Sequence, residues 1–212
     1  MELIADRVEV AGVRGLLLLP TSLRATPRHP VLVAADPGYP SVALALALGG
    51  RVPLASGSVT LDGDPDPVLR RRHVSLVDVP DVTSPEDAVS VHSAVAEQLA
   101  LAGRPSDRAA TRAVLAAHGL ADFAHERFEA LDATDRTLLL TDIAASRVTT
   151  RVLVVAAPDR HGGSPEEWWR AAHRLASTGL TVVVGCSHAT VRALGDPPHF
   201  AVGETTELEV SA

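Results

Sequence analysis

The residues that could do chemistry in this chain of 212 residues sit at the ends of apolar runs. Ala35-Asp36-Pro37-Gly38-Tyr39-Pro40-Ser41-Val42 falls between the apolar run VLVAA and the apolar stretch VALALALGG. A strand, a glycine-bearing loop and a helix start are the usual geometry for gripping phosphate, because unpaired backbone N–H groups and the helix dipole both favour an anion. The working form of such a loop, G-x-x-x-x-G-K-[ST], needs glycines for close backbone approach, a lysine for phosphate charge and a hydroxyl for Mg²⁺. Here those four positions read Ala35, Pro40, Ser41 and Val42. Pro40 removes one N–H from the cradle, and Asp36 adds a negative charge beside it. A second candidate is Gly185-Cys186-Ser187-His188-Ala189, which approximates the strained G-x-S-x-G turn that exposes a nucleophilic serine after a strand. The acid and histidine that follow it in triad order, Asp196 and His199, lie too close in sequence for that fold. His161-Gly162-Gly163 precedes the serine in a separate connection. A metal held by His161, Cys186 and His188 lacks the tight ligand spacing of such sites.

These residues need elements to position them. VLVAA at 31–35 reads as a buried strand and 41–50 as an apolar helix ending at Gly49 and Gly50; SGSVTLDG (56–63) reads as a turn and a strand with its own turn. Before them, LIADRVEV and GVRGLLLLP read as short strands. After them, DPDPVLRRR reads as a loop entering a strand HVSLVDV (73–79), with Arg70, Arg71 and Arg72 solvated at its entry. Residues 81–130 read as a helical lobe, capped at Ser84 with Pro85 in the first turn and with Val91, Val95 and Leu99 on one apolar face. LDATDRTLLLTDIAAS (131–146) reads as a helix with Thr134 as its cap. RVLVVAAPDR (151–160) reads as a strand, with Asp159 a turn residue beyond its end. SPEEWWRAAHRLASTG reads as a helix with a capping box at Ser164 and Glu167. Its adjacent Trp168 and Trp169 point about 100° apart, so one is core and the other is left to a contact surface. LTVVVGCSH (180–188) reads as the last core strand, and ALGDPPHFAVGETTELEV as a turn and edge strands.

In order and spacing, the degenerate loop, the SGSVTLDG strand, the helical lobe, the helix start at Leu131 to Arg136, the strand VLVV and the run TVVVGCSH resemble an ATP-binding cassette (ABC) ATPase domain of the P-loop NTPase superfamily. The resemblance covers nearly the whole chain and implies one domain over residues 1–212. It implies an α/β fold: a mostly parallel sheet flanked by helices, an N-terminal antiparallel β-lobe, and a helical lobe at about 81–130 inserted into the core. The family's chemical residues are substituted. The adenine-stacking aromatic has no counterpart, since no aromatic precedes Tyr39. The glutamine that ends the strand HVSLVDV in the family falls at Val79. The signature L-S-G-G-Q reads Leu131, Asp132, Ala133, Thr134 and Asp135. The Mg²⁺-binding aspartate and the general-base glutamate are Ala156 and Ala157, and His188 stands at the switch histidine. Residual nucleotide contacts would fall to Gly38, Tyr39, Ser41 and His188. The resemblance thus implies a pseudo-ATPase with no catalytic or metal-ligating residues and no required cofactor, with ATP and Mg²⁺ at most weakly held. Pro40, Asp36 and the absent adenine platform put nucleotide binding no tighter than about millimolar. It implies a structural or regulatory role beside a competent ABC ATPase subunit, a membrane permease or a second copy of itself. An α/β hydrolase using Ser187 is the alternative.

Composition bounds the rest. All 19 basic residues are arginine, so no lysine elsewhere can replace the missing one. A net charge of −7 argues against nucleic acid, which needs basic patches to neutralise phosphates. One cysteine excludes an internal disulfide. The N-terminus MELIADRVEV lacks the pattern of a signal peptide, and no apolar run approaches the ~18 residues that span a bilayer. The expected location is the cytoplasm, at the inner face of a membrane through a partner.

Overall fold

The computed structural model describes residues 1–36 and 38–205. In chain order these form strands β1 (Leu3–Gly12), β2 (Gly15–Ala25) and β3 (Val31–Ala34), helix α1 (Tyr39–Leu48), strand β4 (Ser56–Leu61), helix α2 (Pro67–His73) and strand β5 (Val74–Val77). Helices α3 (Val91–Leu101), α4 (Arg108–Ala117) and α5 (Ala133–Ala145) follow, then strand β6 (Val152–Ala156), helix α6 (Pro165–Ser177), strand β7 (Thr181–Cys186), helix α7 (His188–Ala193) and strand β8 (His199–Ala201).

Two sheets result. One is antiparallel in the order β2-β1-β4; the other is parallel, in the order β5-β6-β7-β3-β8. The strands β5, β6 and β7 are nearly unbroken apolar runs because both faces of a parallel sheet are covered. Successive side chains on β6 serve opposite cores: Leu153 and Val155 pack with α3, α5 and α6, whereas Val152, Val154 and Ala156 pack with α1 and the antiparallel sheet. Helix α1 lies between the two sheets, which is why it is apolar nearly all round. Gly57 belongs to an irregularity where β4 pairs with β1. Its φ is +76°, and a side chain there would run into the Arg7 and Asp6 carbonyl oxygens.

Several local expectations are corrected. The stretch after Asp66 is a helix rather than a loop: Asp66 accepts from Val68 N at 2.8 Å, and Pro67 occupies the first turn. Arg70 is accordingly buried, its Nη1 donating to the Val59 and Pro65 carbonyls, so the arginine run is not wholly solvated. The first helix of the 81–130 segment starts at Ser90, which caps Ser93 N. Ser84 is drawn instead to Asp78, its hydroxyl donating at 2.7 Å. Asp132 rather than Thr134 caps α5, while the Thr134 hydroxyl accepts from Ser164 N. The Ser164 cap on α6 is present, with Trp168 buried and Trp169 half-buried against His173. The strand expected at 180–188 stops at Cys186, and Ser187 begins a helix. Of the C-terminal edge strands, β8 pairs in parallel with β3; the expected continuation at 206–210 lies outside the described residues.

Candidate functional site

The ends of β3, β6 and β7 frame a cavity of about 400 Å³ at the carboxyl edge of the parallel sheet, where ligands of open α/β sheets bind. Gly38, Tyr39 and Ser41 line it from the start of α1, Ala156 and Ala157 from the end of β6, and Cys186 from the end of β7. Gly38 has φ 113° and ψ −145°, a conformation that only glycine adopts without strain, and it lets β3 turn directly into α1. Pro40 follows in the first helical turn, so this helix start offers one N–H fewer than usual. Ala157 is strained in the left-handed region at φ 45°, held there by its N–H donating to the Gly185 carbonyl at 2.9 Å. No carboxylate stands at 156 or 157 to hold a metal or activate water.

The charged groups at the cavity are Asp81, Asp159 and Arg160. The Asp159 carboxylate accepts from Ser187 N at 2.9 Å and from the Thr190 hydroxyl at 2.6 Å, so it ties the turn after β6 to the start of α7. Arg160 is occupied as well. Its Nη1 donates to the Asp78 and Ala156 carbonyls, and its Nη2 lies 2.8 Å from Asp78 Oδ1 and 3.1 Å from the Ser84 hydroxyl. Arg136 on α5 approaches the same oxygen at 3.4 Å, bonds Asp87 at 2.6 Å, and stacks 4.6 Å above the Phe128 ring. Asp78 is 3% exposed and sits at φ 54° just past β5. Burial alone would raise its pKa, but Arg160, Arg136 and the Ser84 hydroxyl together outweigh burial and hold the carboxyl below its ordinary range. His161 lies 3.8 Å from the other Asp78 oxygen. Burial first, and then the two arginines, push the His161 pKa down.

Neither Cys186 nor Ser187 has the surroundings of an activated nucleophile. Burial, reinforced by Asp159, pushes the Cys186 thiol up to about 12, so the reactive thiolate is suppressed. Ser187 has ordinary extended backbone (φ −73°, ψ 155°), not the strained turn of a nucleophile elbow. Its Oγ accepts from Thr190 N and shares a hydrogen bond with the Thr190 hydroxyl; the residue is the cap of α7. No three His, Cys, Asp or Glu side chains cluster as a metal site among the described residues.

Of the four expected contact residues, Gly38, Tyr39 and Ser41 line one cavity; His188, exposed in the first turn of α7, is not among the residues lining it. Sequence reasoning missed Asp78, Arg160 and their link to Arg136. The available signal was Asp78 directly after the mostly apolar run VSLV, since a carboxylate at a buried strand end needs a cationic partner.

No protein-family model matches the sequence, and no curated protein matches it. Solved structures do match. CbiO1 from Clostridium perfringens, part of the ABC transporter complex CbiONQ, superposes with a TM-score of 0.68 at 16% identity, over 96% of this chain and 86% of that one. A nucleotide-free ATP-binding cassette from an ABC transporter gives 0.65 at 14% identity, over 91% and 85%. The fold is that of an ABC ATPase domain. A bacterial Atm1-family ABC exporter with ATP bound adds a TM-score of 0.67 at 14% identity, over 97% of this chain and 38% of the exporter. The ABC fold thus extends over almost the full chain. Among the described residues, no helix is long and apolar enough to cross a membrane.

Proposed function

We propose that this chain is an ABC-type nucleotide-binding subunit that no longer hydrolyses ATP and serves its assembly structurally or by regulation. The occupied Arg160 carries the reading. It is the sole cationic side chain lining the cavity among the described residues, and Asp78 and Ser84 already hold it. Phosphoryl transfer depends on positive charge and Mg²⁺ to offset the phosphates and on a group to orient water. Here the lysine position is Ser41, the Mg²⁺ hydroxyl position is Val42, and the two acidic positions are Ala156 and Ala157. The cavity walls are mainly apolar, which suits a polyanion poorly.

Such a subunit pairs with a competent ABC ATPase, with a second copy of itself, or with a membrane permease, whose company places it at the cytoplasmic face of the membrane. That CbiO1 is part of a transporter complex supports this reading by likeness of fold. Calorimetric titration with ATP, with and without Mg²⁺, tests the nucleotide half of the proposal. The expected result is no heat and no thermal stabilisation at ligand concentrations below about 1 mM. Micromolar binding, or measurable ATP turnover by the chain alone, overturns it. Affinity capture from the native host tests the assembly half: a co-purifying ABC ATPase or permease is expected, and recovery of the chain alone counts against it.

A further inference from the structure

A second cavity, of about 230 Å³, opens between β5, α3 and the end of α5. Its walls carry two arginines, Arg51 and Arg147, together with the apolar side chains of Leu76, Val82 and Leu101. Arg51 is held in place: its Nη1 donates to the Gly49 carbonyl at 2.9 Å and its Nη2 to the Val74 carbonyl at 3.3 Å. Gly49 makes the room, since a Cβ there would collide with the Arg51 guanidinium. Arg147, half-buried, makes no side-chain hydrogen bond or ion pair among the described residues. Arg71 adds a third positive charge nearby, its Nη1 on the Gly50 carbonyl. None of the three forms an ion pair with a described carboxylate, although the chain carries 26 acidic residues against 19 basic ones. Burial, and then the like charges of Arg147 and Arg71, lower the Arg51 pKa, so both lie close enough to Arg51 to repel it.

Gathering like charges beside an apolar wall costs free energy unless an anion relieves it, and guanidinium forks match oxyanions geometrically. We infer that this cavity binds a small organic anion, its oxyanion head between Arg51 and Arg147 and its apolar body against Leu76, Val82 and Leu101. The volume lies below that of drug-sized pockets, so the ligand is about the size of a single ring with its acidic group. The site is separate from the cavity at α1 and stands whether or not nucleotide binds there.

Phenyl phosphate, inorganic phosphate and benzyl alcohol, titrated into the full chain at constant ionic strength and followed by thermal shift and calorimetry, test it. Phenyl phosphate should bind, inorganic phosphate at least tenfold more weakly, and benzyl alcohol not measurably. Arg147→Gln should weaken phenyl phosphate at least tenfold. Because Arg51→Ala also removes two backbone contacts, the second variant is Leu101→Glu, at a side chain 64% exposed, which supplies an internal carboxylate and should likewise abolish binding. Absence of phenyl phosphate binding to the unaltered chain overturns the inference. So does a response that survives both variants, or one that sodium chloride reproduces.

Discussion

Arg160 Nη2 and Asp78 Oδ1 lie 2.8 Å apart, and that pair consumes the cation that reaches the cavity beside α1. Asp78 also receives Arg136, so one carboxylate joins the end of β5, the turn after β6 and the first turns of α5. Removing one partner of a buried ion pair is far more costly than the pair's net worth, because the remaining charges stay buried. Asp78→Asn should therefore lower unfolding free energy by about 3–5 kcal/mol, read from urea denaturation. A change under about 1 kcal/mol would show that water already solvates the two arginines.

The same group sets an acid limit. Its folded pKa lies below the unfolded value of about 3.9, so its stabilisation is complete above that pH and is lost as pH falls through the folded pKa. Acid unfolding below about pH 4 should be less steep in Asp78→Asn than in the unaltered chain.

His161 works in a higher window. Its folded pKa is depressed, so the unfolded chain binds a proton first as pH drops below about 6.5, and stability falls until the folded pKa is passed. His161→Gln should remove that part of the slope. Thermal melts from pH 7.5 to 5 compare the two proteins, and identical slopes would mean the imidazole titrates freely.

Ser187 gives a test that separates capping from catalysis. Ser187→Ala should cost about 1 kcal/mol of stability through the lost cap on α7. Hydrolysis of p-nitrophenyl acetate should stay at the background rate in both proteins, and a serine-dependent rate would revive the hydrolase reading.

Restoring charge should restore affinity without chemistry. Ser41→Lys places an ammonium at the cavity, and phosphate or ATP affinity should rise about tenfold or more, worth about 1.4 kcal/mol. ATP turnover should remain absent, because Ala156 and Ala157 still offer nothing to hold Mg²⁺ or orient water. Turnover in this variant would locate an acid elsewhere.

Much of the architecture was legible because its signals are local. Buried parallel strands show as VLVA, VLVVA and TVVVG, and the helix beginning at Ser164 shows its cap, proline and acidic first turn. The substituted loop at 35–42 could also be read directly. Long-range pairing left no such trace. Ser84 has all the marks of a cap, yet Asp78 captures its hydroxyl and the helix begins six residues later at Ser90. Thr134 loses the cap to Asp132 for a similar reason, being used by Ser164 across the fold. The arginine run at 70–72 looked like a solvated strand entry, but it lies on a helix. The register of that helix buries Arg70 and exposes its neighbours.

The alternating side chains of β6 bear on how the molecule comes apart. Leu153 and Val155 belong to one core, and Val152, Val154 and Ala156 to the other, so the strand is a common wall. Neither side can open without exposing the back of the other. The two cores should therefore melt together, with calorimetric and van't Hoff enthalpies in agreement.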